Sequence, residues 1–331
     1  MATTHASPTV IGVDLGGTKI LAGRFDASDQ IVARERIEVA GLSSDELVEA
    51  LAGVVLRLAA ASPEPVVAAG FGVPTTIDQR TGVAVNAAHL PIRDLPLRDL
   101  LAERTGMDVF LDNDGNVAAL AEQRLGVGAG VAEDLLMLTL GTGVGGGIIT
   151  GGRIMRGAIG AGAEIGHMSI AYDGLDCVAG GCNNRGCIET YASGSALRRE
   201  VAGFAAAHPQ TPLGLAVAGG EKPRGELVSR FAREGDADAL RLLEQLGEWL
   251  GVALVSLVNI FNPRMIAVGG GLSSSLDLIL PVARRVLVER ALPPGNTFVE
   301  VVPASFGADA GMVGAALMAR DGLLQAQSRA V

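Results

Sequence analysis

All three cysteines of the chain lie within one short stretch, at Cys177, Cys182 and Cys187, and His167 precedes them. Three thiolates and one imidazole form the closed tetrahedral ligand set of a structural Zn²⁺ site. The alternative is that the cysteines are small buried hydrophobic residues and that the histidine is hydrogen-bonded in the core. Glycines and polar residues separate the thiols, which favours a loop around an ion, and an odd cysteine count disfavours a disulfide framework.

Two carboxylates flank this predicted metal loop. Glu164 stands three residues before His167, and Glu189 stands two residues after Cys187. A metal ion would therefore fix a loop that carries two acidic side chains. Three thiolates leave one excess negative charge on Zn²⁺, which the neighbouring Arg185 could offset.

The segment "DLGGTK" (14–19) is a second candidate site. It follows an apolar, β-branched stretch, and its paired glycines let backbone N–H groups point into a concavity where a phosphate can sit. The spacing is neither that of a P-loop nor that of a GxGxxG fingerprint. Asp14 could hold the water shell of Mg²⁺. The alternative is a glycine hairpin turn with a solvated aspartate.

Two further glycine-rich segments follow apolar strands. "GTGVGGG" (141–147) can supply a second amide cradle, with Thr142 as a hydroxyl donor, and "VGGG" (268–271) could let a nucleotide base approach the backbone. Taken singly, each is typical of a tight turn. Two such loops at equivalent points of two lobes could clamp a polyphosphate from both sides.

Asn113 and Asp114 stand where a predicted strand gives way to a helix. A carboxylate at this point can accept the proton of a substrate hydroxyl. The alternative is an Asn/Asp helix cap. Asp112 and Asp114 project to opposite sides of an extended chain, so we expect only one of them to act.

The elements that must position these residues indicate an α/β protein. A hairpin-rich opening, with strand 9–14, precedes strands that alternate with helices. Later helices are predicted at 192–207, 223–234, 237–260 and 276–291, with a strand at 264–271, a loop-like tract at 208–226 and a closing helix at 307–319. Segments 11–23 and 137–149 share one pattern of strand, turn and strand. This internal repeat predicts two similar lobes that face one another, with a boundary near 112–120.

Composition excludes several partners. The 331-residue chain carries a net charge of −10, without a basic run, which argues against nucleic acid and anionic lipid. The most apolar stretch (246–261) contains Glu248 and is too short for a membrane span, so we predict a buried helix there. The first residues lack a secretion signal, which predicts a cytoplasmic protein.

The chain resembles the ROK family (repressors, open reading frames and kinases), and within it the bacterial ATP-dependent glucokinases. The resemblance runs from "DLGGTK" through "DNDGNVAALAE", "LGTGVGGGII", "EIGHM" and "CNNRGCIETYASGSAL" to "DAGMVGAAL". It implies the two-lobed actin-like ATPase fold (ribonuclease H-like, hexokinase-type), with a zinc-braced loop. The implied lobes are 8–115 with 308–325, and 116–307, with the active site between them.

The resemblance also implies a role for each candidate residue. Asp114 would be the general base in a transfer from MgATP to the 6-hydroxyl of glucose or a related hexose. Sugar hydroxyls would be bound by Asn113, Asp114, Glu164, His167 and Glu189. Phosphate and Mg²⁺ would be bound by Asp14, Gly16, Gly17, Thr18 and Lys19, the second cradle would be Thr142 and Gly143, and the adenosine would lie on Gly270 and Gly271. His167, Cys177, Cys182 and Cys187 would bind Zn²⁺. Family members tend to be dimers or tetramers.

Three departures from the family pattern bear on the site. "VAGG" separates Cys177 from Cys182, so Cys177 is a ligand only if this insertion loops out. Thr75 replaces a glycine that is common near the sugar, and His89 replaces an asparagine. Both substitutions could alter which hydroxyls are selected.

Several alternatives stay open at this point. The acceptor could be mannose, allose, fructose or N-acetylglucosamine, and the donor could be polyphosphate. A catalytically silent sugar sensor is a further alternative, although Asp14 and Asp114 are both present. A repressor would need an N-terminal helix-turn-helix, and the phosphate loop already begins at residue 14.

Overall fold

The computed structural model describes residues 8–87, 90–177 and 182–329. Its strands are β1 (Thr9–Leu15), β2 (Lys19–Phe25), β3 (Ile31–Glu38), β4 (Val66–Val73), β5 (Ile77–Asp78), β6 (Val83–Asn86), β7 (Arg93–Leu95), β8 (Asp108–Asn113), β9 (Leu135–Leu140), β10 (Val144–Thr150), β11 (Arg153–Ile154), β12 (Met265–Gly269) and β13 (Glu300–Pro303). Its helices are α1 (Ser44–Ala60), α2 (Leu97–Thr105), α3 (Asp114–Arg124), α4 (Ile188–Ala192), α5 (Gly194–Ala207), α6 (Pro212–Ala218), α7 (Gly225–Arg233), α8 (Ala237–Phe261), α9 (Leu276–Arg290), α10 (Gly295–Phe298) and α11 (Ala310–Arg329).

Two five-stranded sheets share one topology. Their strand orders are β3-β2-β1-β4-β8 and β11-β10-β9-β12-β13. In the first sheet, β1 pairs antiparallel with β2 and parallel with β4. In the second sheet, β9 pairs in the same way with β10 and β12. The predicted internal repeat and α/β fold are therefore confirmed. A third, small sheet, β5-β6-β7, was not predicted, because its strands are too short to show a period.

Helices cover both faces of each sheet. Helices α1 and α2 bury one face of the first sheet, and α4 to α9 bury the far face of the second. Helices α3 and α11 lie between the sheets and share one core with both of them. Gly314 makes this arrangement possible, since a Cβ there would lie 1.7 Å from the carbonyl oxygen of Val117 on α3.

Some predicted boundaries differ from the structure. Helix α1 begins at Ser44, where Ser43 and Glu46 form a capping box. The predicted helix 192–207 is interrupted at Ser193, whose side chain caps α5. The tract 208–226 is not simply a loop: Thr211 caps α6 there, with Pro212 in its first turn.

The apolar stretch 246–261 forms the second half of α8 and packs in the core of the second lobe, as predicted. Across the described part of the chain, no helix combines the length and the apolar character that crossing a bilayer requires.

Candidate active site and metal-binding loop

The site is built at the carboxyl ends of parallel strands in the first sheet. Strands β1, β4 and β8 run parallel, with Asp14, Gly72 and Asp112 in register. The pKa of Asp14 is raised to about 7: burial is the largest cause, the charge of Asp114 adds to it, and the charge of Lys19 opposes both. The charges of Asp114 and Lys19 therefore both act on Asp14.

Asn113 and Asp114 divide the two roles that the sequence suggested for this position. The side-chain oxygen of Asn113 accepts hydrogen bonds from Gly115 N (2.9 Å) and Asn116 N (3.4 Å), so Asn113 is the cap of α3. Asp114 Oδ1 lies 2.9 Å from Gly115 N. Burial raises the pKa of Asp114, the Gly115 hydrogen bond opposes this, and the charge of Glu164 adds to it. A largely buried carboxylate with a raised pKa is suited to take a proton.

Asp112 cannot act in the same way. Its carboxylate is buried, and it accepts hydrogen bonds from Asn113 N (2.8 Å), Asn116 Nδ2 (2.9 Å) and Arg156 Nε (2.6 Å). The hydrogen bonds of Asp112 agree with the expectation that only one aspartate of the pair acts, which stays a prediction.

The glycines of 141–147 serve two purposes. Gly146 and Gly147 are buried under the first turn of α3, where a Cβ on Gly147 would lie 2.4 Å from Gly115 O. These two glycines therefore permit a close approach of helix to strand and are not available to a phosphate. Thr142 is exposed and Gly143 half-exposed in the β9–β10 turn.

The other two glycine turns also reach the edge of their sheets. In the first lobe, Gly16 N donates to Lys19 O (2.8 Å), which closes the hairpin and leaves Gly17 and Thr18 exposed. In the second, the turn after β12 lies against the β9–β10 turn. A Cβ on Gly271 would lie 3.6 Å from the Cα of Gly141.

Gly270 has a φ of 94°, and a Cβ on it would lie 2.7 Å from Leu140 O, so only glycine fits. Leu272 N donates to that same carbonyl (2.9 Å). The turn that carries Gly270 is thus held beside the turn that carries Thr142.

Glu189, in the first turn of α4, is tied to the β9–β10 turn. Its Oε2 accepts a hydrogen bond from Val144 N (2.9 Å), and a Cβ on Gly143 would lie 2.0 Å from the same oxygen. The largely buried carboxylate therefore connects the metal loop to the second glycine turn.

The predicted metal ligands are gathered in space. The ligand atoms of His167, Cys177, Cys182 and Cys187 all lie within 4.8 Å of one another. His167 Nδ1 faces Cys177 Sγ at 3.6 Å. Burial raises the pKa of Cys187 to about 12, and the neighbouring thiols of Cys177 and Cys182 add to the shift. Such crowding of sulfur atoms suits a bound dication, which would favour the thiolates.

Backbone pairing holds this loop closed. Ser169 pairs with Cys187, and Asp176 pairs with Arg185. The Arg185 guanidinium lies 3.0 Å from Asp176 and 3.8 Å from Asp173, so its charge is shared with two aspartates. The insertion 178–181 lies outside the described residues. Cys177, which precedes this insertion, nevertheless lies within the cluster.

A family model matches residues 10–322, and its description is the ROK family. The chain belongs to the ROK family. A glucokinase of Streptomyces coelicolor is 37% identical over 316 residues, which cover 94% of this chain and 97% of that relative. The resemblance seen in the motifs is thus confirmed.

Solved ROK structures share the fold. A glucokinase from Streptomyces griseus, crystallised with glucose and AMPPNP, superposes with a TM-score of 0.81 at 36% identity, covering 95% of this chain and all of that one. A transcriptional regulator homologous to the E. coli MLC protein superposes with a TM-score of 0.85 at 26% identity, covering 97% of this chain and 81% of that one. Kinases and regulators therefore share this ROK architecture, and residues in the site must separate them.

Sequence reasoning missed two features of this ROK site. The first is the ion pair between Arg156 and Asp112, for which the sequence offered no signal except an arginine near the glycine-rich segment before Glu164. The second is the role of Thr75, whose hydroxyl donates to Asn86 O (2.7 Å) and accepts from Asn86 N (3.0 Å). His89 lies outside the described residues.

Proposed function

We propose that the protein transfers the γ-phosphoryl group of ATP to the 6-hydroxyl of glucose, which yields glucose 6-phosphate and ADP. The observation that carries the proposal is the Asp114 carboxylate. It stands at the start of α3, its pKa is raised by burial, and Asp14 and Glu164 lie within electrostatic reach. The names and identities of the relatives support a kinase of this class.

Asp114 is the general base of the proposed reaction. A base works best when its pKa lies close to the operating pH, and burial together with Glu164 moves the pKa of Asp114 in that direction. Asp114 takes the proton of the 6-hydroxyl while that oxygen attacks the γ-phosphorus in line. Positioning and charge stabilisation supply the rest of the rate, as is general for phosphoryl transfer.

The remaining predicted residues bind the two substrates. Asn113, Glu164, His167 and Glu189 surround the hexose. Gly16, Gly17, Thr18 and Lys19 bind phosphate together with Thr142 and Gly143, while Gly270 and Gly271 lie beside the adenosine. Asp14 would hold Mg²⁺, whose charge would neutralise the phosphates. A cation beside Asp14 also favours its ionised form, against the effect of burial.

Zinc suits the loop of His167 and the three cysteines. Because His167 Nδ1 faces Cys177, that nitrogen would be the metal ligand and Nε2 would carry the proton. His167 would then present a fixed N–H donor to a sugar hydroxyl. Zinc would have a structural role here, since four protein ligands would leave no open position on it.

We also propose two lobes, which comprise residues 8–115 with 308–325 and residues 116–307. The crevice between them would close on sugar and nucleotide. Closure would exclude water, which would otherwise hydrolyse ATP. We further propose that the enzyme acts in the cytoplasm, where ATP is supplied. We also propose that it assembles as a dimer or tetramer.

A coupled assay across hexoses tests the function. Glucose, mannose, allose, fructose and N-acetylglucosamine are compared with ATP or polyphosphate, with and without Mg²⁺. We expect the highest kcat/KM for glucose with MgATP. A preference for another hexose would identify a different ROK kinase, and sugar binding without turnover would identify a sensor.

A further inference from the structure

One ion pair connects the two lobes directly behind the site. Asp112 is the second-last residue of the edge strand β8 of the first sheet, and Arg156 follows β11, an edge strand of the second sheet. Arg156 Nε lies 2.6 Å from Asp112 Oδ2, with 2% of the aspartate side chain and 33% of the arginine side chain exposed. The same carboxylate is two residues from Asp114.

The loop that begins at Arg156 leads directly to Glu164. Gly162 N donates to Arg156 O (2.9 Å), which closes residues 156–162 into a compact turn. A second point of this turn touches the first lobe, because a Cβ on Gly160 would lie 2.1 Å from Ile77 O. The turn is therefore held on the first lobe at both Asp112 and Ile77.

Backbone strain marks the end of this loop. Ala163, immediately before Glu164, has a φ of 65°, which an L-residue rarely adopts. Strained residues persist where the surrounding contacts determine them, so the position of Glu164 depends on the loop that precedes it.

We infer that the Arg156–Asp112 ion pair is a positioning device that holds the Glu164 loop in register with Asp114. The two lobes thereby present one continuous sugar site. Neither member of the pair touches substrate, and each acts through its neighbour in the chain: Asp112 through Asn113 and Asp114, and Arg156 through Glu164. The inference rests on the proposed function.

Arg156→Gln tests the inference: the arginine is partly exposed, and the Asp112 carboxylate keeps its hydrogen bonds from Asn113 N and Asn116 Nδ2. We expect kcat/KM for glucose to fall about 10- to 100-fold, since a displacement of about 1 Å at the reacting groups has an effect of this size. The KM for ATP should not change. Arg156→Lys should recover part of the activity, because it keeps the charge and one donor.

Two comparisons separate positioning from a merely structural bond. Arg124→Gln removes another short ion pair, to Asp321 (2.8 Å), that joins α3 and α11 away from the site. This variant should leave kcat/KM for glucose and the KM for ATP unchanged. The double variant Arg156→Gln/Asp112→Asn should lose no more than either single variant. Additive losses in the double variant, a KM for ATP that rises as much as the KM for glucose, or no loss in Arg156→Gln would each overturn the inference.

Calorimetry of glucose binding without nucleotide distinguishes this inference from the proposed function. A wild-type protein that binds glucose but does not phosphorylate it would refute the function. Weaker glucose binding by Arg156→Gln would still support the inference, and equal binding would overturn it.

Discussion

Gly115 on α3 lies directly against Gly146 on β10, and a Cβ on Gly115 would come within 2.3 Å of the carbonyl oxygen of Gly146. This contact places the first turn of α3, which begins at Asp114, on the glycine strand of the second sheet. The candidate base is therefore held by the first lobe through β8 and by the second through β10. Its position depends on both lobes at once.

Replacing Gly115 with alanine should separate α3 from β10. The added methyl has no space, so the helix must move, and we expect a loss of about 1–3 kcal/mol in the free energy of unfolding. The movement displaces Asp114, and kcat/KM for glucose should fall about 10²-fold. Denaturant unfolding and steady-state kinetics measure the two effects. Gly203→Ala is the control. Gly203 lies on α5 with open space around it, so this variant should be slightly more stable than the wild type. Normal kinetics in Gly115→Ala would contradict the close-contact account.

Asp114→Asn should abolish general-base catalysis while it preserves the shape of the side chain. We expect kcat to fall about 10²–10⁴-fold, the usual contribution of a positioned base. Glucose binding, measured by calorimetry, should change little. Asp238→Asn makes the same chemical change in the first turn of α8, at an aspartate that pairs with Arg241, and should leave kcat unchanged. A near-normal kcat in Asp114→Asn would remove Asp114 from the role of base.

Asp14 should make the protein less stable as the pH rises. Its folded-state pKa is about 7, against an ordinary value of 3.8, so the folded protein holds a proton that the unfolded chain releases between these values. The stability that protonated Asp14 contributes is thus fully present below about pH 4 and is lost as the pH rises to 7. Because the side chain is only half-buried, we expect the free energy of unfolding to fall by about 1–2 kcal/mol over this range. The full change in pKa from 3.8 to about 7 would correspond to roughly 4 kcal/mol.

Asp14→Asn tests this dependence in thermal melts without Mg²⁺ or nucleotide. The variant should melt with the wild type near pH 4, apart from a constant offset, and should gain stability over it as the pH rises to 8. A difference that does not change with pH would show that the ionisation of Asp14 carries no cost. The variant should also lose kinase activity, since Asp14 is the proposed Mg²⁺ residue.

Removal of zinc should impair sugar binding more than folding. Metal analysis should find about one zinc per chain, the content of one Cys₃His site. After chelation we expect weaker glucose binding with little change in far-UV circular dichroism. Thiol titration reports on this loop alone, because the chain has no other cysteines. Cys177 and Cys182 should then react first, and Cys187 slowly, because Cys187 is buried and its pKa is raised. A zinc-free protein with full activity would leave the cysteines a packing role only.

The parts of the site that local chemistry determines were predictable from the sequence. Periodicity located the strands before Asp14 and Asn113, and the cysteine spacing located the metal loop. The role that each of two neighbouring residues takes was not predictable. Whether Asn113 or Asp114 caps α3, and whether Gly146 faces a phosphate or a helix, depends on how α3 meets β10. That contact joins segments distant in the chain, and no local pattern encodes it.

Thr75 also shows the limit of local reasoning, and it leads to a further prediction. The family resemblance placed it near the sugar, where the replacement of a glycine could alter which hydroxyls are selected. In the structure the hydroxyl is occupied by the backbone of Asn86, and the carbonyl of Thr75 lies 3.5 Å from Asn113 Nδ2. Thr75 therefore connects the β4–β5 turn to the end of β6 and meets the sugar site through Asn113.

Thr75→Val keeps the volume and removes the hydroxyl. Two backbone groups of Asn86 lose their partner, which should lower the free energy of unfolding by about 1–3 kcal/mol. The KM for glucose should rise, because the turn beside Asn113 loosens. Thr75→Ser is the matched control, since it keeps both hydrogen bonds and should preserve stability and the order of preference among hexoses. If serine altered that order while stability stayed the same, the hydroxyl would face the sugar and the structural role argued from Asn86 would be wrong.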